Sequence, residues 1–102
     1  MPVHFGGLAC DMARILAIAK RHRLKVIEDC AHAHGSRWEG HGLGSIGDVG
    51  CFSFFPTKIM TTGEGGMVVT SRDDLAETLR SLQVRRRRPG VRLRKLLDPR
   101  QE

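Results

Sequence analysis

Three short apolar runs, Leu24–Ile27, Cys51–Phe55 and Met67–Thr70, constrain this chain more than any other feature. Each is too short for a stable helix and is bounded by acids, proline or glycine, so each predicts a buried strand. Before the first run, Met12, Ile15, Leu16 and Ala19 recur at i, i+3, i+4 and i+7, which predicts a helix from about Cys10 to His22. Asp11 in its first turn and Lys20, Arg21 and His22 in its last match the helix dipole. After the third run, Ser71-Arg72-Asp73-Asp74 reads as a capping box opening a second helix, with Leu75, Leu79 and Leu82 as its apolar face. Pro2 to Phe5 reads as the end of a further strand broken by Gly6 and Gly7, and Ser36 to Glu39 as a small hairpin arm in glycine-rich sequence. The order β-α-β-(loop)-β-β-α predicts an α/β domain, its sheet mainly parallel, flanked by helices and buried on both faces.

With 102 residues there is room for one domain. The net charge of +6 would suggest a small basic nucleic-acid-binding protein, the alternative to an enzyme. Its location argues against that. Residues 1–84 carry nine Lys/Arg and nine Asp/Glu, while 85–102 carry eight against Asp98 and Glu102, so 8 − 2 accounts for the whole +6. A neutral globular body, 1–84, is thus expected to carry a basic tail, 85–102, that is disordered or non-native. Three cysteines without CxxC spacing, two of them in apolar runs, read as buried, reduced thiols of a cytoplasmic protein. No apolar stretch is long enough to cross a membrane, and no signal peptide is expected.

The candidate site residues lie at strand ends. Asp29 closes the first buried run, and ligands of open α/β sheets bind outside the carboxyl ends of strands. A carboxylate there can pair with a protonated ring nitrogen of a cofactor, or simply cap a turn. Ser53 and Lys58 flank Pro56 at the end of the next run. A desolvated lysine amine at a sheet edge can form a Schiff base; a solvated lysine is the plain alternative. The small residues Thr61-Thr62-Gly63-Glu64-Gly65-Gly66 follow and permit close backbone approach to a bound group. His32 can stack on or hydrogen-bond a flat cofactor, or be a buried structural histidine. Cys30, His32 and His34 form C-x-H-x-H, but with no second cluster no metal site is expected. Gly42, Gly44 and Gly47 match G-x-G-x-x-G, yet they lead into a strand instead of opening a helix, so they are not read as a dinucleotide site.

Together these elements resemble the central segment of the DegT/DnrJ/StrS aminotransferases of fold type I. The resemblance rests on Glu28-Asp29-x-Ala31-x-Ala33-x-Gly35, on the strand Gly47-Asp48-x-Gly50-x-Phe52-Ser53-Phe54, and on the loop Pro56-x-Lys58 followed by Gly63-Glu64-Gly65-Gly66, in that order and spacing. It implies pyridoxal 5′-phosphate as cofactor, with Lys58 as the Schiff-base lysine and proton shuttle. It further implies that Asp29 keeps the pyridine nitrogen protonated, His32 contacts the ring or its 3-hydroxyl, and Ser53 donates to the phosphate. The implied reaction moves an amino group from a donor, typically glutamate, to a keto-sugar nucleotide, in a homodimer. A dehydratase variant of the family carries His at the lysine position, and Lys58 argues against it. Ile59 stands where the family usually has Asn. Members are several times longer, so this chain by itself is expected to hold the cofactor weakly, to aggregate readily and to turn over little substrate.

Overall fold

The computed structural model describes residues 1–85, with side chains to Gln83. The basic tail expected over 85–102 lies, from residue 86 on, outside the described residues.

Helix α1 spans Met12–Arg21, shorter at each end than the apolar stripe predicts. Asp11 stands before it as N-cap, its side chain accepting from the Arg14 N–H at 3.1 Å. The far end closes with Leu24 N–H on the Ala19 carbonyl (2.8 Å) and Arg23 N–H on that of Lys20 (3.3 Å). This Schellman closure puts Arg23 at φ +53°, a conformation that favours glycine.

The main sheet has the order β1 (Ile27–Asp29), β4 (Val49–Ser53), β5 (Gly66–Val69). β1 and β4 run parallel, with Asp29 opposite Cys51, and β4 and β5 run antiparallel. Val3 adds a parallel bridge to Asp29, so the apolar start of the chain does lie at a strand edge before turning into a 3-10 turn at Phe5–Gly7. The expected arm is also present: β2 (Arg37–Trp38) pairs antiparallel with β3 (His41–Gly42). Glu39 and Gly40 between them both have positive φ (47° and 82°), as a two-residue type I′ turn demands.

Among the described residues two small cores stabilise this arrangement. Met12 and Ala19 pack with Val26, and Cys30 and Ala33 with Leu43; Trp38 and Ile46 touch both. The expected burial of the sheet on both faces is not realised within the described residues: Ile27, Met67 and Val68 are 40%, 46% and 50% exposed. The apolar runs predict two covering layers, but α1 spends its apolar stripe on Val26, Trp38 and Ile46 and leaves β5 open.

The second helix, α2, spans Asp73–Arg85. The capping box predicted at Ser71 is not formed, and the helix starts one residue later, after Arg72. The Arg72 carbonyl accepts the Ala76 N–H (2.9 Å), and the Arg72 N–H donates to the Thr70 hydroxyl (3.2 Å). Carboxylates on either side hold Arg72 there, since its guanidinium reaches both Asp48 and Asp74. Asp48 in turn accepts from the Val26 N–H (2.9 Å) and Lys25, tying the entry of β1 to the entry of β4 and to α2. Burial opposes its charge, but the Val26 amide and the Lys25 and Arg72 cations hold the Asp48 carboxyl below the usual carboxylate range.

Candidate functional site

Asp29 is the last residue of β1, half-buried, and held along both backbone edges. Its N–H donates to the Pro2 carbonyl (2.9 Å), its carbonyl accepts from the His4 N–H (3.0 Å), and the next amide, Cys30, donates to the Cys51 carbonyl (2.8 Å). One carboxylate oxygen, Oδ1, accepts from the Ala31 N–H (3.0 Å); among the described residues Oδ2 accepts nothing. The parallel register carries Asp29, Cys51 and Ser53 to the carboxyl ends of two neighbouring strands, the place where a parallel sheet presents ligand-binding groups.

Ser53 ends β4, its Oγ accepting a long contact from the Phe55 N–H (3.4 Å) and its hydroxyl proton left to donate. Lys58 follows on a loop pinned at both ends to one residue. Phe54 donates its N–H to the Gly65 carbonyl (2.9 Å), and its own carbonyl accepts from the Thr61 hydroxyl (2.8 Å) and the Thr62 N–H (3.1 Å). Gly63 takes φ +78° to let this loop turn back. The Lys58 N–H closes a turn on the Phe55 carbonyl (2.9 Å), while its amine makes no hydrogen bond or ion pair among the described residues. His32 is half-buried, its ring edge-on to Phe5 with centroids 5.2 Å apart. The fold thus gathers Asp29 and Ser53 at one sheet end, and His32 and Lys58 stand on the segments that follow them. No hydrogen bond joins any two of the four.

These groups suit pyridoxal phosphate: a carboxylate oxygen free to face a ring nitrogen, a free amine on a pinned loop, a hydroxyl donor and an aromatic plane. His34, between Phe52 and Phe54 (5.5 and 5.4 Å), keeps both ring nitrogens buried and without a partner among the described residues.

Sequence reasoning missed the polar centre behind this edge. Glu28 is fully buried and its carboxylate accepts four hydrogen bonds, from the amides of Gly44, Ile46 and Gly47 and from the His4 ring. The signal was available: Glu28 lies two residues after Val26 on an extended segment, so the two share a face, and Val26 is core. Gly44 and Gly47 of the G-x-G-x-x-G run donate to this carboxylate, which accounts for those two without a nucleotide. Cys30 lies close by, and the donor atoms of His4, Glu28 and Cys30 fall within 4.8 Å of one another. Glu28 is already saturated by protein donors. Burial, then the charges of Glu28 and Asp29 and the neighbouring Cys51, pushes the Cys30 thiol up to about 12. Cys30 is the buried thiol, whereas Cys10 and Cys51 are half-buried and all three are free. Among the described residues no helix is long and apolar enough to cross a membrane.

Known proteins place the chain. It is 54% identical over 84 residues to a UDP-N-acetyl-3-dehydro-alpha-D-glucosamine 3-aminotransferase of Acidithiobacillus ferrooxidans, covering 81% of this chain and 23% of that protein. It is 55% identical over 83 residues to a GDP-perosamine synthase of Caulobacter vibrioides, covering 81% and 22%. Among solved structures, a DegT DnrJ EryC1 StrS aminotransferase from Brucella abortus superposes with a TM-score of 0.78 at 38% identity, over 87% of this chain and 24% of that one. The chain therefore spans about a quarter of the length of the relatives it matches. The family profile matches residues 1–94, and the chain belongs to the DegT/DnrJ/EryC1/StrS aminotransferase family.

Proposed function

We propose that residues 1–84 form part of the cofactor-binding domain of a pyridoxal-phosphate aminotransferase that converts a keto-sugar nucleotide to an amino sugar, with an amino acid such as glutamate as donor. The observation that carries this reading is the placing of Asp29 and Ser53 at the carboxyl ends of adjacent parallel strands, with the unpaired Lys58 amine on the loop that follows. The relatives named for UDP- and GDP-linked sugars support the substrate class. A homodimer is the expected assembly.

When bound, the cofactor supplies an electron sink for the carbon that gains or loses the amine. The chain's own residues do the rest. Lys58 is the covalent attachment point through its amine, and once released it can hold or deliver a proton. Asp29, anchored by the Ala31 amide through Oδ1, has Oδ2 left over, which would pair with a protonated ring nitrogen. Ser53 donates its hydroxyl to a phosphate oxygen, and His32 bounds the ring plane.

The test is direct. The 102-residue chain is incubated with pyridoxal phosphate, reduced with borohydride and mapped by mass spectrometry. A pyridoxyl group on Lys58 is expected; a label on Lys20 or Lys25 instead sinks the assignment.

A further inference from the structure

We infer that Glu28 and His4 are positioning residues, forming a hydrogen-bond relay that holds Asp29 in place; this rests on the reading of Asp29 as the cofactor's acid. Both side chains are fully buried. The Cys10 N–H, which can only donate, meets His4 Nδ1 at 3.2 Å. Nδ1 therefore carries the lone pair and Nε2 the proton, and Nε2 donates to Glu28 Oε2 at 3.0 Å. The Gly44 N–H reaches the same oxygen at 2.8 Å, and Ile46 and Gly47 donate to Oε1 at 2.8 and 2.6 Å. Among the described residues each group that hydrogen-bonds this carboxylate is a donor, so a side chain that accepts at both oxygens satisfies the site.

His4 joins the relay to Asp29. Its ring holds Glu28 while its own N–H holds the Asp29 carbonyl (3.0 Å), and Pro2 accepts the Asp29 N–H (2.9 Å). The edge of Asp29 away from β4 is thus formed by a segment that has no partner strand beyond it among the described residues, and the Glu28 carboxylate fastens that segment. Glutamine at 28 must turn its NH2 toward either Ile46 and Gly47 or Gly44 and His4. Either way a buried backbone donor loses its acceptor. A switch of the His4 tautomer does not cure this, because it would aim Nδ1–H at the Cys10 N–H.

Residue-resolved amide exchange on the 15N-labelled chain tests the relay without cofactor. In Glu28→Gln, the His4 and Asp29 amides are expected to exchange roughly tenfold faster or more, while the amides pairing β4 with β5 keep their protection. The nitrogen shifts of His4 should show Nδ1 unprotonated in the parent chain. Unchanged protection at His4 and Asp29, acceleration shared equally by all amides, or a protonated Nδ1 each overturn the inference. Should Glu28→Gln fail to fold, a pair at His4 decides. His4→Gln keeps a donor toward Glu28 and should retain most of the Asp29 protection that His4→Leu loses; equal behaviour of the two overturns it. Borohydride labelling of Lys58 in the parent chain is run alongside. A label on Lys20 or Lys25 in place of Lys58 would refute the functional reading while the exchange pattern still judges the relay.

Discussion

Gly44→Ala, set against Gly42→Ala, tests a packing role for Gly44 in the G-x-G-x-x-G run. Gly44 sits at φ +92°, and a Cβ built there meets the Phe52 ring at 2.7 and 2.8 Å and Cys30 Sγ at 3.2 Å. Forcing an L-residue into the left-handed region costs about 1–2 kcal/mol. Displacing a packed ring costs about 1–3 kcal/mol more. Phe52 is wedged against Cys30, Leu43 and His34, so the ring has little room to retreat. The sum is roughly 2–5 kcal/mol, enough to lower the folded-to-unfolded ratio by about 30-fold at the least. Gly42 has no positive φ, and its Cβ would meet only Ser45 Oγ at 4.0 Å. Alanine there removes backbone freedom from the unfolded chain and should be neutral or slightly stabilising. Urea unfolding followed by circular dichroism measures both, with an unchanged m-value required for the comparison. Equal stability of the two variants would refute the packing account, because only at Gly44 does a Cβ meet packed side chains.

Three further outcomes follow from the same geometry. Arg23→Gly relieves a left-handed strain of about 1–2 kcal/mol against an unfolded-state cost of about 0.5–1 kcal/mol, so thermal unfolding should show a net gain of about 0–1.5 kcal/mol. Asp48 titrates below the ordinary 3.8 in the folded chain. Its contribution is therefore complete above that value and is lost as pH falls through the lower folded value. Asp48→Asn should cost about 1.5–3 kcal/mol at neutral pH and flatten the acid limb of the stability profile; a limb of unchanged slope would place the acid sensitivity elsewhere. In the longest active protein carrying this segment, Asp29→Asn should leave borohydride labelling of Lys58 intact and slow transamination by tenfold or more, about 1.4 kcal/mol of barrier, whereas an unchanged rate would make Asp29 a turn cap only.

Local signals in the sequence determined the order of elements, the stripe of α1, the hairpin arm and the residues that carry the family resemblance. Such features depend on neighbours within a turn or two of chain, and the spacing of Met12, Ile15, Leu16 and Ala19 is visible without coordinates. The sequence also places Asp29, Ser53 and Lys58 at strand ends, because Pro56 and the small residues after Lys58 mark where the strand stops. What only the tertiary structure decided is which distant groups meet. The N-terminal segment lies beside Asp29, Phe54 pins both ends of the lysine loop, and α2 starts at Asp73 because Asp48 and Asp74 hold Arg72. Glu28 shows the reason most clearly. Its donors come from 16 to 24 residues away in the chain. A buried carboxylate is stable only when such donors converge in space, and convergence across folded segments leaves no periodic trace in a linear sequence.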